Sequence, residues 1–192
     1  AFSGCSSLIY NIYDNAKYLG NDSNPYLVLV ENVSDSITSC NIHKDTKIIC
    51  NYAFQYCSSL ESVVIGDSVT SIGVYAFSDC SSLTSIVIPD SVTSIGGAAF
   101  SDCSNLTNVE IPDSVTSIGA RAFMHCSSLT SVTIPDGVTS IGEYTFYNCS
   151  SLTNIEIPDS VTRIDGFAFY DCSSLTYNTY DNAKYLGNDS NP

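Results

Sequence analysis

The sequence predicts an α/β solenoid, in which parallel β-strands stack coil upon coil with short helices between them and a β-hairpin protrudes from one enlarged turn. Two periods carry that expectation. Cys57, Cys80, Cys103, Cys126, Cys149 and Cys172 recur every 23 residues; Phe54, Phe77, Phe100, Phe123, Phe146 and Phe169 keep the same step, as do Leu60, Leu83, Leu106, Leu129, Leu152 and Leu175. Ile65, Val69 and Ile72 head further columns, so five full turns share one register. A longer period lies over the first. Tyr10–Pro25 reads YNIYDNAKYLGNDSNP and Tyr177–Pro192 reads YNTYDNAKYLGNDSNP, an offset of 167 residues, or six turns of 23 and one of 29.

Within a turn, Ile86 and Ile88 alternate about Val87 as a short strand does, and Pro89 ends it, with Pro112, Pro135 and Pro158 in the same place. The Asp90-Ser91 pair that follows is turn chemistry, because its short side chains bond nearby backbone. Val92 and Ile95 belong to a second short extended piece. After Gly96, the spacing of Ala99, Cys103 and Leu106 reads as about two helical turns. The 29-residue turn reads as a hairpin standing off the solenoid: Lys17 to Gly20, a bend over Asn21 to Asn24, then Pro25 to Val30. The organisation expected is therefore residues 1–9 as the end of a preceding repeat, 10–36 as the elongated 29-residue turn, 37–176 as a solenoid of 23-residue turns, and 177–192 as the start of the next elongated turn. On this reading the chain is cut from a longer protein that repeats the 167-residue block in tandem.

Burial makes such a chain fold. One coil cannot hide its apolar side, but stacked coils bury a continuous core, each contributing roughly six apolar side chains worth ~1.5–3 kcal/mol apiece. Apolar residues make up 44% of the 192, enough for that core. Against 20 Asp and Glu stand only 6 Lys and Arg, a net charge of −14. Nucleic acid and anionic membrane surfaces are poor candidate partners, since binding either needs basic patches. No apolar run is long enough for direct membrane insertion.

The motif LTSIVIPDSVTSIGGAAFSDCSNL, Leu83 to Leu106, resembles the BspA-like branch of leucine-rich repeats, the Treponema type. The resemblance covers nearly the whole chain, with Gly66 in place of Pro, Gly137 in place of Ser, Thr145 in place of Ala, and Asp165 in place of Gly. It implies a leucine-rich-repeat solenoid. It also implies a secreted or cell-surface protein that adheres to host matrix proteins or to other cell-surface proteins, with no catalytic residues, no cofactor and no metal. Neighbouring copies of the tandem block are a further expected partner. The alternative function is a structural stalk that extends another domain outwards.

Candidate chemistry is sparse. The six ladder cysteines never adopt the C-x-x-C spacing of zinc or redox sites, and read as small buried thiols in the place where an Asn ladder stands in better-known leucine-rich repeats. Cys5 continues that ladder, while Cys40 and Cys50 fall in the strand and Gly columns, and a pairing of those two is left open. His125 beside Cys126 is no nucleophile–base pair, because Cys126 is an ordinary ladder member, and His43 has no repeat equivalent. The sequons at Asn21, Asn32, Asn105, Asn148 and Asn188 are accidental matches in a Ser-, Thr- and Asn-rich chain.

One surface stands out. The two residues after each repeat Gly and the two after each Phe vary freely from turn to turn (Val74-Tyr75, Gly97-Ala98, Ser78-Asp79, Ser101-Asp102, Met124-His125), and variation within a repeat implies exposure. In the last two turns these positions hold Tyr144, Tyr147, Phe167 and Tyr170, which stacking would gather into one aromatic patch, the candidate protein-binding site. The same rings could instead cover the flank of the solenoid.

Asp67, Asp90, Asp113, Asp136 and Asp159 form a carboxylate column, but no turn supplies the Gly-rich loop that calcium solenoids use. They read as solvated turn residues. The melting temperature should barely move between chelator and millimolar Ca²⁺, and a rise of many degrees would promote the column to a metal site.

Overall fold

The computed structural model describes residues 8–180 and 183–185, the last two strands by their backbone alone. Phe2, Cys5 and Asn188 lie outside the described residues. Strands β1 (Asn11–Tyr13), β2 (Ala16–Asn21) and β3 (Asn24–Asn32) open the chain. Each later coil then contributes a pair: β4 (Ser39–Asn41) with β5 (Ile48–Ile49), β6 (Ser62–Val64) with β7 (Ser71–Ile72), and β8 (Ser85–Val87) with β9 (Ser94–Ile95). Next come β10 (Asn108–Glu110) with β11 (Ser117–Ile118), β12 (Ser131–Thr133) with β13 (Ser140–Ile141), and β14 (Asn154–Glu156) with β15 (Arg163–Ile164). The hairpin β16 (Asn178–Tyr180) and β17 (Ala183–Tyr185) follows.

The first strand of each coil joins a six-stranded parallel sheet, ordered β14-β12-β10-β8-β6-β4, in a register of one coil: Ser85 with Asn108, Ile86 with Val109, Val87 with Glu110. The second strands form another sheet, β3-β5-β7-β9-β11, extended by β2 and β1. Between β11 and β13 this sheet breaks, and β13 pairs with β15 alone. The break coincides with Gly137. Its equivalents Ser91, Ser114 and Ser160 each donate a hydroxyl to a valine carbonyl of the preceding coil, at 2.6, 2.7 and 3.0 Å, and glycine has no hydroxyl to give.

The described residues contain no helix, so the short helices expected around Ala99, Cys103 and Leu106 are not there. The backbone explains why. Ala98 and Asp102 have φ of 52° and 61°, in the left-handed region that no α-helix of L-residues tolerates, and the pattern recurs at Tyr75 and Asp79, Arg121 and His125, Tyr144 and Asn148. Amide donors alternate in direction. Ala99, Ser101 and Cys103 donate to carbonyls three residues back, closing local turns. Ala98, Phe100 and Asp102 donate to the Ala120, Ala122 and Met124 carbonyls of the next coil, Phe100 pairing with Ala122 at 2.8 Å. The apolar spacing belongs to successive turns whose polar backbone is satisfied partly from outside the coil.

Nor does the hairpin stand off. β3 pairs in parallel with β5, Val28 with Ile48 and Leu29 with Ile49, so it is the first rung of the second sheet. Tyr18 and Leu29 are fully buried, and only the tip around Gly20 to Ser23 is exposed. A second hairpin precedes it, turning at Asp14 and Asn15 with φ of 37° and 67°, the two positive values a two-residue type I′ turn demands. The Asp14 carboxylate accepts the Asn41 backbone N–H at 2.6 Å, and so covers the end of the first sheet at β4.

Inside, six phenylalanines from Phe54 to Phe169 stack ring on ring, with centroids 5.1–5.6 Å apart and planes within 8°. The coils nest tightly beside this spine. A Cβ on Gly96 would come within 2.6 Å of the Gly73 carbonyl carbon, so the middle of that column admits no side chain, whereas its ends carry Cys50 and Asp165. Phe100→Ala, in the middle of the spine, should cost about 3–5 kcal/mol in urea unfolding, and the partly buried Phe169→Ala clearly less. Equal costs at both positions would mean that the spine does not transmit packing from coil to coil.

Candidate protein-interaction surface

The structure brings Tyr144, Tyr147, Phe167 and Tyr170 together as a four-ring box. Tyr144 stacks on Phe167 at 5.3 Å and Tyr147 on Tyr170 at 5.6 Å, while Tyr144 meets Tyr147 and Phe167 meets Tyr170 edge to face at 5.4 and 5.6 Å. The 23-residue step sets the stacked pairs, and the three-residue spacing within one turn sets the edge contacts. Phe167 and Tyr170 are 54% and 52% exposed, while Tyr144 and Tyr147 are half-buried beneath their neighbours. Arg121 continues the column, its guanidinium 5.3 Å from the centre of the Tyr144 ring. His125 borders the other side, edge-on to Tyr147 at 5.4 Å and bonded through Nδ1 to the Asn148 amide at 3.0 Å.

Variable columns are not uniformly exposed: Ala98, Ser78 and Ser101 are each 2% exposed. Ser78 and Ser101 give their hydroxyls to the carboxylates of Asp79 and Asp102. What the first variable column shares is the left-handed backbone, which runs through Tyr52, Tyr75, Ala98, Arg121, Tyr144 and Phe167. A second aromatic pair in this column escaped the sequence reading. Tyr52 stacks on Tyr75 at 5.5 Å, with Tyr56 exposed beside them. The repeat register alone would have found it, since Tyr52 and Tyr75 precede Tyr144 by whole numbers of turns.

A groove of ≈ 860 Å³ also went unread; it crosses the first strands of three coils, beside Val64, Val87, Asp67, Asp90, Glu110 and Asp113. All five column aspartates, Asp67 to Asp159, are solvent-exposed. His43 stacks on Tyr26 at 4.1 Å and lies 3.8 Å from Asp45, far in the chain from any ladder thiol. Cys126 is fully buried and turned away from His125, its thiol donating to the Phe100 carbonyl at 3.2 Å.

The other ladder thiols repeat that bond. Cys80, Cys103, Cys149 and Cys172 donate to the carbonyls of Phe54, Phe77, Phe123 and Phe146 at 3.1–3.2 Å, tying each coil to the one before. Cys57 heads the column, fully buried. Cys40 donates to the Asp14 carbonyl at 3.0 Å, and Cys50 is half-buried; all eight described cysteines are free thiols, so Cys40 and Cys50 are not paired. Burial pushes Cys57 and Cys40 up to about 12 and Cys172 to about 11, and raises Cys80, Cys103, Cys126 and Cys149 further.

Comparison with known proteins agrees with this architecture. Six copies of a repeat described as the BspA type leucine rich repeat region match residues 31–124 and 93–190. A leucine-rich repeat protein of T. pallidum has a similar structure, at 24% identity and a TM-score of 0.74, over 84% of this chain and 88% of that one. A leucine-rich cell surface protein of Faecalibacterium prausnitzii is 31% identical with a TM-score of 0.71, over 96% of this chain and 60% of its own. The pneumococcal vaccine antigen PcpA shares 20% identity and a TM-score of 0.65, over 94% of this chain and 48% of the antigen. This chain thus spans less than two thirds of the last two proteins, and the T. pallidum and pneumococcal likenesses speak to the fold alone. No curated protein matches the sequence.

The thiol column generates a pH test. An unfolded thiol ionises near 9.0, whereas the buried ones hold their protons to higher pH. Between those values the unfolded chain has released protons that the native chain keeps, so stability falls as pH rises, by about 1.4 kcal/mol per pH unit for each thiol. The urea midpoint should drop steeply above pH 9, and Cys103→Ala should lower stability at pH 7 while making the alkaline drop shallower. A midpoint level to pH 11 would show that the native coils do not hold these protons.

Proposed function

The chain belongs to the BspA-type leucine-rich-repeat family, and on that premise we propose that it is a non-enzymatic adhesion and protein-interaction module, displayed at the cell surface or secreted, within a tandem array of such blocks. Leucine-rich-repeat proteins mediate protein–protein interaction, and the likeness to a cell surface protein of F. prausnitzii supports the location. The observation that carries the reading is the four-ring box, which sets half-exposed Phe167 and Tyr170 on a rigid turn beside the Arg121 cation. Rigid aromatic rings lose little conformational entropy on binding and serve as interface anchors. The partner is a protein, either of a host matrix or of another cell surface. The second reading, a structural stalk, is favoured by the mutual packing of the rings, which leaves Tyr144 and Tyr147 half-buried.

Replacing Tyr144, Tyr147 and Tyr170 with Ser discriminates between the two. On wells coated with extracellular-matrix extract, the native chain should bind saturably, and the triple variant about tenfold more weakly with its melting temperature little changed. Unchanged binding by the folded variant would remove the box from the interface. A collapse in stability would make the rings packing and favour the stalk.

A further inference from the structure

The first sheet presents an outward column one residue wide: Asn41, Val64, Val87, Glu110, Thr133 and Glu156, each the last residue of its strand. Four of the six are polar. The two valines sit side by side in register and are 58% and 69% exposed, although apolar residues are available to fill a core only from the other face of the strand. Ile65, Ile88 and Ile111 form the inner wall beside them, with Pro89 and Pro112 at the bend. Three residues on from Val64, Val87 and Glu110 stand the exposed carboxylates of Asp67, Asp90 and Asp113, and Glu110 closes the valine pair at the C-terminal side. Among the described residues, no Lys, Arg or His lines the groove. The nearest cation in the Asp column, Lys44, is one coil away and already engaged by Asp45 at 2.9 Å.

An apolar rail of two valines bounded by four unpaired carboxylates is complementary to one kind of occupant. We propose that the groove over β6, β8 and β10 binds an extended cationic peptide segment of a partner protein, its apolar side chains on Val64 and Val87 and its ammonium or guanidinium groups against Asp67, Asp90, Asp113 and Glu110. Burying the valines requires an apolar contribution from the ligand, since a purely ionic partner leaves them in water. Seating an acidic or neutral segment would desolvate the carboxylates without compensation. The net charge of −14 speeds the encounter with any basic segment, and the groove confers the selectivity. This site is separate from the four-ring box and holds whether or not the chain adheres to matrix.

A fluorescein-labelled decapeptide of alternating Val and Lys is the probe, read by anisotropy on the full chain. It should bind saturably and weaken with added salt, while the Val–Glu counterpart should not bind. Val64→Thr with Val87→Thr keeps strand-forming residues, with Thr133 as precedent in the same column, and should weaken binding about tenfold. Asp67→Asn, Asp90→Asn and Asp113→Asn together should weaken it about tenfold and flatten the salt dependence. Asp136→Asn with Asp159→Asn removes charge from the same column outside the groove, and should change the affinity less than about twofold. Several outcomes would overturn the proposal: no saturable binding, an affinity indifferent to the valines, or an effect of Asp136 and Asp159 per charge equal to that of the groove aspartates. Loss of binding in the Tyr144, Tyr147 and Tyr170 variant would do so too, by placing the peptide on the aromatic box.

Discussion

Parallel hydrogen bonding from coil to coil, at one fixed step of 23 residues, is the constraint that the remainder of this structure answers to. It operates in the two sheets and also through the turn segment, where Phe54, Phe77 and Phe100 each donate to the coil beyond. For alternate amides to point along the solenoid axis, the backbone must reverse twice per coil, and the left-handed residues on either side of each Phe provide the reversals. Each left-handed non-glycine residue costs roughly 1–2 kcal/mol relative to an ordinary conformation. Amides paired to the next coil and a buried stack of rings offset that cost. The bare Gly73, Gly96 and Gly119 column follows from the same nesting, because coils this close leave no room for a Cβ.

Side chains reinforce the step with hydroxyls rather than charges. Thr70, Thr93, Thr116 and Thr162 donate to the carbonyl of the residue 23 positions earlier, as do Thr107, Thr130, Thr153 and Thr176 on the other sheet. The buried thiols make the analogous bond from inside. A short side chain that bonds the coil before it loses little rotamer freedom, whereas a long ion pair loses much, and this accounts for a composition of only 14% charged residues. The break between β11 and β13 falls at Gly137, but the serine bond is not required for pairing, since β5 and β7 pair in a coil where Ser68 makes no such bond.

Periodicity made the solenoid, its core columns and its two strands per coil legible, because buried columns cannot vary without opening cavities. The helix was misread for a definite reason. Apolar residues at i, i+4 and i+7 mark one face of a helix, but two consecutive turns with left-handed ends return the chain to the same side. The available signal was the residue before five of the six ladder cysteines: Asp79, Asp102, His125, Asn148 and Asp171 are the types that tolerate positive φ, while Tyr56 before Cys57 is the exception. The hairpin tip was legible from Asn21 to Asn24, where the Asn21 side chain accepts the Ser23 and Asn24 amides. Its docking was not, since pairing of β3 with β5 is tertiary. The four-ring box was found from its register, though by an argument from variability that the buried Ser78 and Ser101 refute. Val64 and Val87 were missed because valine in a strand is unremarkable until the structure shows which face it occupies.

Because each coil satisfies its own core through columns shared with its neighbours, an outward position can change in one coil without disturbing the next. Binding chemistry in such a molecule is therefore written locally, and departures from a column's usual residue carry more information than the column itself. The valine pair is apolar where Glu110, Thr133 and Glu156 are polar. Tyr147 and Tyr170 are large where Ser78 and Ser101 are small and buried. The two departures lie in different coils and on different sides of the coil, one on the first sheet and one on the turn segment. Neither needs the other to be structured, since the stacked core between them is complete. A single rigid block can thus present two unrelated surfaces at a fixed separation, and an array of blocks would repeat that pair along its length. Simultaneous engagement of such repeated surfaces raises avidity without any stronger contact, which is the physical advantage that a tandem solenoid holds over one globular binding domain.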